Sequence, residues 1–210
     1  MKIRALAIVA ALALPTLALA QDKTPPADKT PPATDKTPGK VAKLSDGDVK
    51  IMAHLHHVNQ MEIDLGKVAQ KNGTAAIKSY ADTLVNDHQS GDKDLTAFAK
   101  AHGVAMIPNE KPESDADRQD AKEMTAQTAH LKMLKGPEFD KEFLNMMVAG
   151  HDKELAKIDV AIGGAGDSDL QTLLKTTKPV LQRHSDQAHD LQKNPQASAD
   201  KPIDKLPSQH

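Results

Sequence analysis

Apolar residues recur at helical spacing along the central part of the chain. Over residues 51–69 they return every three or four positions, and the run stops at Asn72-Gly73. The segment before it, from Ser45 to Asp48, resembles a capping box with Asp in place of the usual Glu. A second run covers residues 74–102 and stops at Gly103. The pattern predicts two long helices joined by a short glycine-containing turn.

The same pattern returns after a long connection. Residues 137–162 and 168–193 predict two further helices, with a bend at Pro179 in the last one. Between the two helix pairs, residues 115–135 predict a weaker helix that Ser114 caps, about 31 Å long at 1.5 Å per residue. No part of the sequence shows the alternation that is typical of a strand.

These elements predict an all-α fold. Helices joined by short turns pair as hairpins, the first with the second and the fourth with the fifth. The 34 residues from Gly103 to Gly136 separate the hairpins and contain the middle helix. A long helical crossover between two hairpins is the arrangement of a ferritin-like four-helix bundle. We therefore predict such a bundle for residues 45–193.

The N-terminus has the composition of a secretory signal peptide, which we assign to residues 1–20. Lys2 and Arg4 precede an apolar run over residues 5–14, and Ala18-Leu19-Ala20 is a small-x-small cleavage site. An apolar run of that length is too short to span a bilayer, which needs roughly 20 residues. We expect cleavage after Ala20 and a periplasmic or secreted protein.

Two segments outside the helices predict no packed structure. Residues 21–44 repeat Asp-Lys-Thr-Pro three times and predict an extended Pro-rich linker, with a docking peptide as the alternative. Residues 194–210 carry three prolines among polar residues and predict a disordered tail.

Composition excludes several classes of function. The absence of cysteine excludes disulfides, thiolate metal sites and cysteine catalysis. With 27 basic and 29 acidic residues, the chain has no basic footprint, so we expect no nucleic-acid partner. No segment after the leader is long and apolar enough to span a bilayer, so we expect no stable membrane insertion after cleavage. The sequence identifies no protein partner.

Each of the four strong helices carries one ligand-type residue within its apolar stripe. At 100° per residue, these are Glu62, His88, His151 and His184. Counting from the helix ends places His88 level with His151, and Glu62 level with His184, with about 7.5 Å between the levels. Because side chains lean toward the N-terminus of their helix, the four groups are expected to converge. A carboxylate is rarely buried unless it is paired, so Glu62 needs a partner.

Three imidazoles and one carboxylate could bind one transition-metal ion such as zinc, copper, iron or nickel. We name Glu62, His88, His151 and His184 as the candidate ligands. Met147, one turn before His151, would suit copper, and Asp92, one turn beyond His88, is a candidate extra ligand or supporting acceptor. The alternatives are a hydrogen-bonded Glu–His cluster that fixes helix register, and acid–base catalysis without metal. The paired Glu-x-x-His motifs of di-iron bundles are absent from the sequence.

The other histidines are weaker candidates for metal ligands. His56 and His57 crowd beside His54 on the first helix but lie away from the Glu62 face, so we expect them to be solvated. A surface copper or zinc patch is the alternative. Three further histidines lack an inward-facing partner in the pattern: His102, His130 and His189.

The helical region also resembles a bacterial family of exported, ferritin-like proteins known as domain of unknown function 4142. The matching segments are Glu62–Ala69, Ser79–His88, Glu138–Leu144, His151, and Pro179–His184. Phe143 stands where the family often has Tyr, and residues 49–52 lack a common aromatic; neither departure affects the Glu/His set. The resemblance implies a ferritin-like bundle and export, with no established activity or metal.

The leading functional hypothesis is an exported protein with an envelope or stress-related binding role rather than turnover. The rival is a metal-dependent redox or hydrolytic enzyme, which an open coordination position and a substrate-sized cavity beside the histidines would favour. A closed, dry site would favour a structural Glu/His core. An interaction module tethered by the linker would instead present an exposed apolar patch.

Overall fold

The computed structural model describes residues 43–194, which fold as five α-helices with no strand among them. The helices are α1 (Asp46–Asn72), α2 (Ala75–Ala101), α3 (Asp115–Leu131), α4 (Gly136–Gly164) and α5 (Ser168–Lys193). The all-α prediction is confirmed. The predicted signal peptide, the linker up to residue 42 and the tail from residue 195 lie outside the described residues.

Two helices begin at the capping boxes that the sequence predicts. The Ser45 hydroxyl accepts from the Asp48 backbone N–H at 3.0 Å, and the Asp48 carboxylate accepts from the Ser45 N–H at 3.2 Å. Ser114 and Asp117 repeat this arrangement at the start of α3. Asp48 also accepts from the backbone N–H of Gly166 at 2.8 Å, which ties the start of α1 to the turn between α4 and α5.

The middle helix is shorter than predicted, because α3 ends at Leu131 rather than at Lys135. Beyond that point the chain tightens into turns of the i to i+3 type. The N–H of Met133 donates to the His130 carbonyl at 2.9 Å, and the N–H of Leu134 donates to the Leu131 carbonyl at 3.1 Å. Such bonds satisfy the last carbonyls of a helix and end it.

The helices pair as the predicted hairpins. α1 packs mainly on α2 and α4 mainly on α5, while the hairpins meet through α2 with α5 and through α1 with α4. At Gly66 a Cβ atom would lie 2.6 Å from Val85 Cγ2, so glycine allows α1 and α2 to approach closely. α3 touches the bundle only lightly and buries a single residue, Leu131. This arrangement fits a ferritin-like four-helix bundle with α3 in the crossover.

The core consists of two apolar clusters. The cluster at the α1–α2 turn includes Leu65, Tyr80, Phe139, Phe143 and Leu191. The cluster at the α4–α5 turn includes Met52, Leu95, Ile158, Leu170 and Leu174. Leu44 is the last residue of the predicted linker, but its side chain is buried in this second cluster. On each of the four bundle helices, at least one buried polar residue lies between the part that belongs to the first cluster and the part that belongs to the second.

Two features of the helices bear on the sequence predictions. α5 continues through Pro179 as one helix. Among the described helices, none has both the length and the apolar content that a bilayer span requires.

Candidate metal centre

The polar layer between the two clusters contains the four candidate ligands. His88, His151 and His184 are 4%, 2% and 0% exposed, and Glu62 is 4% exposed. The ring centroids of His88 and His184 lie 5.2 Å apart, and those of His151 and His184 lie 5.3 Å apart. The helix-wheel prediction therefore identified the inward-facing residues, and the helices bring the three imidazoles together. We call His88, His151 and His184 the histidine trio.

Each imidazole of the trio is held by one of its ring nitrogens. His88 Nδ1 lies 2.9 Å from Asn59 Oδ1, and His151 Nδ1 lies 2.9 Å from the backbone oxygen of Met147. His184 Nε2 lies 2.8 Å from Asp87 Oδ2. All three partners are oxygen acceptors, so the held nitrogen of each ring donates and carries the proton.

The other nitrogen of each ring is buried without a hydrogen-bond partner. These atoms are His88 Nε2, His151 Nε2 and His184 Nδ1. One ligand atom from each residue of the trio lies within 4.8 Å of the other two. With its proton on the held nitrogen, a neutral ring presents a lone pair and no donor at its free nitrogen. Such an arrangement suits a cation, since buried polar atoms normally find a partner.

Glu62 lies beside the trio but is not part of the group of ligand atoms that fall within 4.8 Å of one another. Its Oε2 is buried without a hydrogen-bond partner. Its Oε1 lies 4.0 Å from the point that a Cβ of Gly150 would occupy, so the carboxylate rests against α4 just before His151. Burial raises the pKa of Glu62, the charge of His151 opposes this shift, and the charge of Glu154 adds to it.

The surroundings keep two imidazoles of the trio neutral. Burial lowers the pKa of His88 to about 3, and the charges of His184 and His151 act in the same direction. Burial also lowers the pKa of His184, although its hydrogen bond to Asp87 opposes the shift. A neutral imidazole is the form that binds a metal ion.

Asp87 is the residue that sequence reasoning missed. It accepts a hydrogen bond from His184 and one from Arg183 Nη2 at 2.7 Å. Burial raises the pKa of Asp87, but the hydrogen bonds and the charges of His184 and Arg183 together hold that pKa below its usual range. The Tyr80 hydroxyl donates to the His184 backbone oxygen at 2.9 Å and fixes the same turn of α5. An ion-paired carboxylate behind a histidine is a common support for a metal ligand.

Asp92 does not fill that role. Its carboxylate lies 2.5 Å from His56 Nδ1 and accepts from Gln60 Nε2 at 2.7 Å, on the outer side of α1 and α2. The helical spacing placed Asp92 one turn beyond His88, but its side chain turns to these two residues instead. The contact of Met147 with His151 is made by its backbone oxygen rather than by the side chain that the sequence prediction named.

The remaining histidines near α1 lie close to carboxylates. His54 lies between two carboxylates, with Nδ1 2.7 Å from Glu110 Oε1 and Nε2 2.7 Å from Glu154 Oε2. His57 is more than half exposed and lies 4.0 Å from Glu110. The hydrogen bond to Glu154 raises the pKa of His54. Of the group expected to be solvated, His57 alone remains largely exposed.

His102 has a partner that the sequence pattern did not indicate. Its Nε2 lies 3.4 Å from Asp167 Oδ2, and one ligand atom each from His102, Asp167 and Asp169 lie within 4.8 Å of one another. Asp167 already caps α5 by accepting from the N–H groups of Asp169 and Leu170. The capping of α5 accounts for the position of Asp167.

Two cavities of the described region lie away from the trio. A cavity of about 630 Å³ opens near Ile77, Leu144 and Leu191 at the α1–α2 turn. A second, of about 390 Å³, lies where Leu65 and Val68 of α1 face Thr128 of α3. Neither is lined by a residue of the trio.

Fold and site together define an all-helical bundle protein with a closed histidine trio in its core. The chain belongs to the family described as domain of unknown function DUF4142, whose model matches residues 33–191. The comparisons with curated proteins and with solved structures give no match. Family membership therefore agrees with the resemblance in the sequence and assigns no activity.

Proposed function

We propose that this protein binds one transition-metal ion, such as zinc, copper or iron, through His88, His151 and His184, with Glu62 supplying negative charge beside the ion. The observation that carries the proposal is the buried trio itself, in which each ring has one nitrogen without a hydrogen-bond partner and one ligand atom of each ring lies within 4.8 Å of the other two. Imidazole nitrogen is a good ligand for each of these metals.

A binding role is favoured over turnover because the trio is enclosed. Its members are at most 4% exposed, and neither of the two cavities described above is lined by them. A metal-dependent redox or hydrolytic enzyme needs a position that substrate can approach. The second candidate is a Glu/His core without metal that only fixes helix register, and the unpartnered nitrogens argue against it.

We also propose that the protein is exported and serves an envelope or stress-related binding role, with its signal peptide removed after Ala20. The support is the basic start, the apolar run and the Ala18-Leu19-Ala20 site of the sequence. The Pro-rich linker would then separate the bundle from the N-terminus of the mature protein. The alternative role is that of an interaction module tethered by this linker. The intact mass of the exported protein is expected to begin at Gln21, and a mass that includes residues 1–20 would refute this.

The metal proposal is tested by thermal unfolding with chelator and with zinc, copper, nickel or iron added. At a hundredfold excess over Kd, the correct metal should stabilise the folded protein by about 3 kcal/mol. His88→Ala should abolish this gain, whereas His57→Ala on the exposed face of α1 should keep it.

Two outcomes would contradict the proposal. If no metal stabilises the wild-type protein, the trio is a structural cluster, and His88→Ala should still cost about 1–3 kcal/mol because it leaves neighbouring groups unsatisfied. If stabilisation survives His88→Ala but is lost with His57→Ala, the site lies at the surface of α1.

A further inference from the structure

The enclosed trio raises the question of how an ion reaches it. The contact between α1 and α4 contains a row of ligand-type side chains that leads outward from Glu62. Glu62 rests against Gly150 of α4, and Glu154 lies four residues further along α4, one turn away on the same face. The charge of Glu154 also raises the pKa of Glu62, which agrees with their proximity.

The row continues to the surface through direct contacts. Glu154 Oε2 lies 2.7 Å from His54 Nε2, and His54 Nδ1 lies 2.7 Å from Glu110 Oε1 in the connection between α2 and α3. Glu110 Oε2 in turn lies 4.0 Å from His57 Nε2. Imidazole and carboxylate therefore alternate from His57 at the outside of the bundle to Glu154, and the carboxylate of Glu62 follows toward the core.

Exposure increases steadily along this row. The side chains of Glu154, His54, Glu110 and His57 are 15%, 23%, 36% and 59% exposed. An ion that moved along the row would exchange its water ligands one at a time for carboxylate oxygens, and a His54 nitrogen would join only as that ring gives up its proton. Stepwise exchange avoids the large cost of moving a bare ion into a low-dielectric interior.

The neighbouring contact between α1 and α2 lacks such a continuation. There His56 pairs with Asp92, and the next polar group inward is the Asn59 amide. That amide holds the protonated nitrogen of His88 and offers no free carboxylate. Each of the two helix contacts thus has a histidine–carboxylate pair on its outer side. The inner group is the Glu62 carboxylate between α1 and α4, but the Asn59 amide between α1 and α2.

We infer that the contact between α1 and α4 is the entry route for the metal ion, with Glu110 and His57 at its mouth, His54 and Glu154 along it, and Glu62 passing the ion to the trio. This inference rests on the proposed metal binding. The connection between α2 and α3 supplies Glu110 at the mouth of the route.

The test measures how fast and how tightly the full chain, stripped of metal with a chelator, binds Co²⁺. Stopped-flow absorbance in the visible range follows coordination, and competition with a chelator of known affinity gives Kd. His54→Gln should slow binding at least tenfold and leave Kd unchanged. A route affects entry and release by the same factor, so the release rate should fall equally.

His56→Gln is the matched control, because His56 is on the same helix and is also paired with a carboxylate. It should bind Co²⁺ at the wild-type rate. Glu154→Gln is a second route variant, expected to slow binding as well, and each variant is compared by its melting curve to establish that it is folded.

The outcomes separate the route from the site. If wild type binds Co²⁺ and His88→Ala does not, but His54→Gln and Glu154→Gln bind at the wild-type rate or faster, the route is refuted and the site stands. If His56→Gln slows binding as much as His54→Gln, the route is also refuted. If wild type binds no Co²⁺, the proposed site and the route both fall.

Discussion

The histidines of this bundle fall into two groups that differ in what their ring nitrogens contact. His54 has a carboxylate at both nitrogens, and its hydrogen bond to Glu154 raises its pKa. His88 has an amide oxygen at one nitrogen and no partner at the other, and burial lowers its pKa to about 3. The comparison teaches that the contact of the second ring nitrogen decides the chemistry of the histidine. A carboxylate at that nitrogen favours binding a proton, whereas a buried nitrogen without a partner keeps a lone pair for a metal ion.

The sharpest way to test this difference is to change the carboxylate that supports each group. Asp87→Asn keeps the shape of the side chain but removes the negative charge behind His184. We expect metal affinity to fall about 10-fold to 100-fold, the usual effect of losing such a support. Asp92→Asn is the matched control, since Asp92 is on the same helix and pairs with His56 instead. Competition titration should give equal Kd values for Asp92→Asn and wild type; equal values for Asp87→Asn would contradict the role assigned to Asp87.

The two groups should also give pH dependences of opposite sign in metal-free protein. The folded-state pKa of His88 is lowered, so below about pH 6.5 the unfolded chain binds a proton that the folded protein does not. The free energy of unfolding should therefore decrease by about 2 kcal/mol between pH 6.5 and pH 5 through His88 alone. Denaturant titrations of wild type and His88→Gln measure the contribution of His88 as a difference in the free energy of unfolding. Because both proteins contain Glu62, its opposing contribution cancels in that difference.

The folded-state pKa of His54 is raised, so the folded protein keeps a proton that the unfolded chain has released. The stabilisation by His54 should be fully present below about pH 6.5 and lost as pH rises through the raised pKa. The nearby Lys157 acts against this shift. His54→Gln should therefore differ from wild type most at low pH, and an increasing difference at high pH would contradict the assignment.

The smallest expected effect concerns the partly exposed pair of His56 and Asp92. A double-mutant cycle with His56→Gln and Asp92→Asn should give a coupling of about 0.2–1 kcal/mol that decreases with salt, as for other exposed pairs. A coupling of several kcal/mol would contradict the description of His56 and Asp92 as a partly exposed pair.

Much of the fold could be predicted because the helix signals are local. Ser45 and Ser114 begin helices through bonds to residues three positions away, and glycine follows the end of α1. The end of α3 could not be predicted so well. Residues 132–135 continue a helical composition, and the turn that stops the helix depends on how the chain enters α4.

The ligand-type residues of the site could be predicted from periodicity, but their partners could not. A helix wheel finds residues on one stripe, and His88, His151 and His184 lie on theirs. Asp87 lies about 100° from His88 around α2 and meets α5 only through tertiary packing. One signal was available: Asp87 and Arg183 each directly precede a histidine of the trio, and their charges are opposite.

The placement of the trio on three helices also has a kinetic consequence. The hairpins of α1 with α2 and of α4 with α5 form from contacts close in sequence, which are made early in folding. The trio draws on α2, α4 and α5, so it is complete only after the hairpins have docked. An ion bound there stabilises contacts that form late, and such contacts mainly slow unfolding. The site would thereby set the lifetime of the folded protein rather than the speed at which it forms.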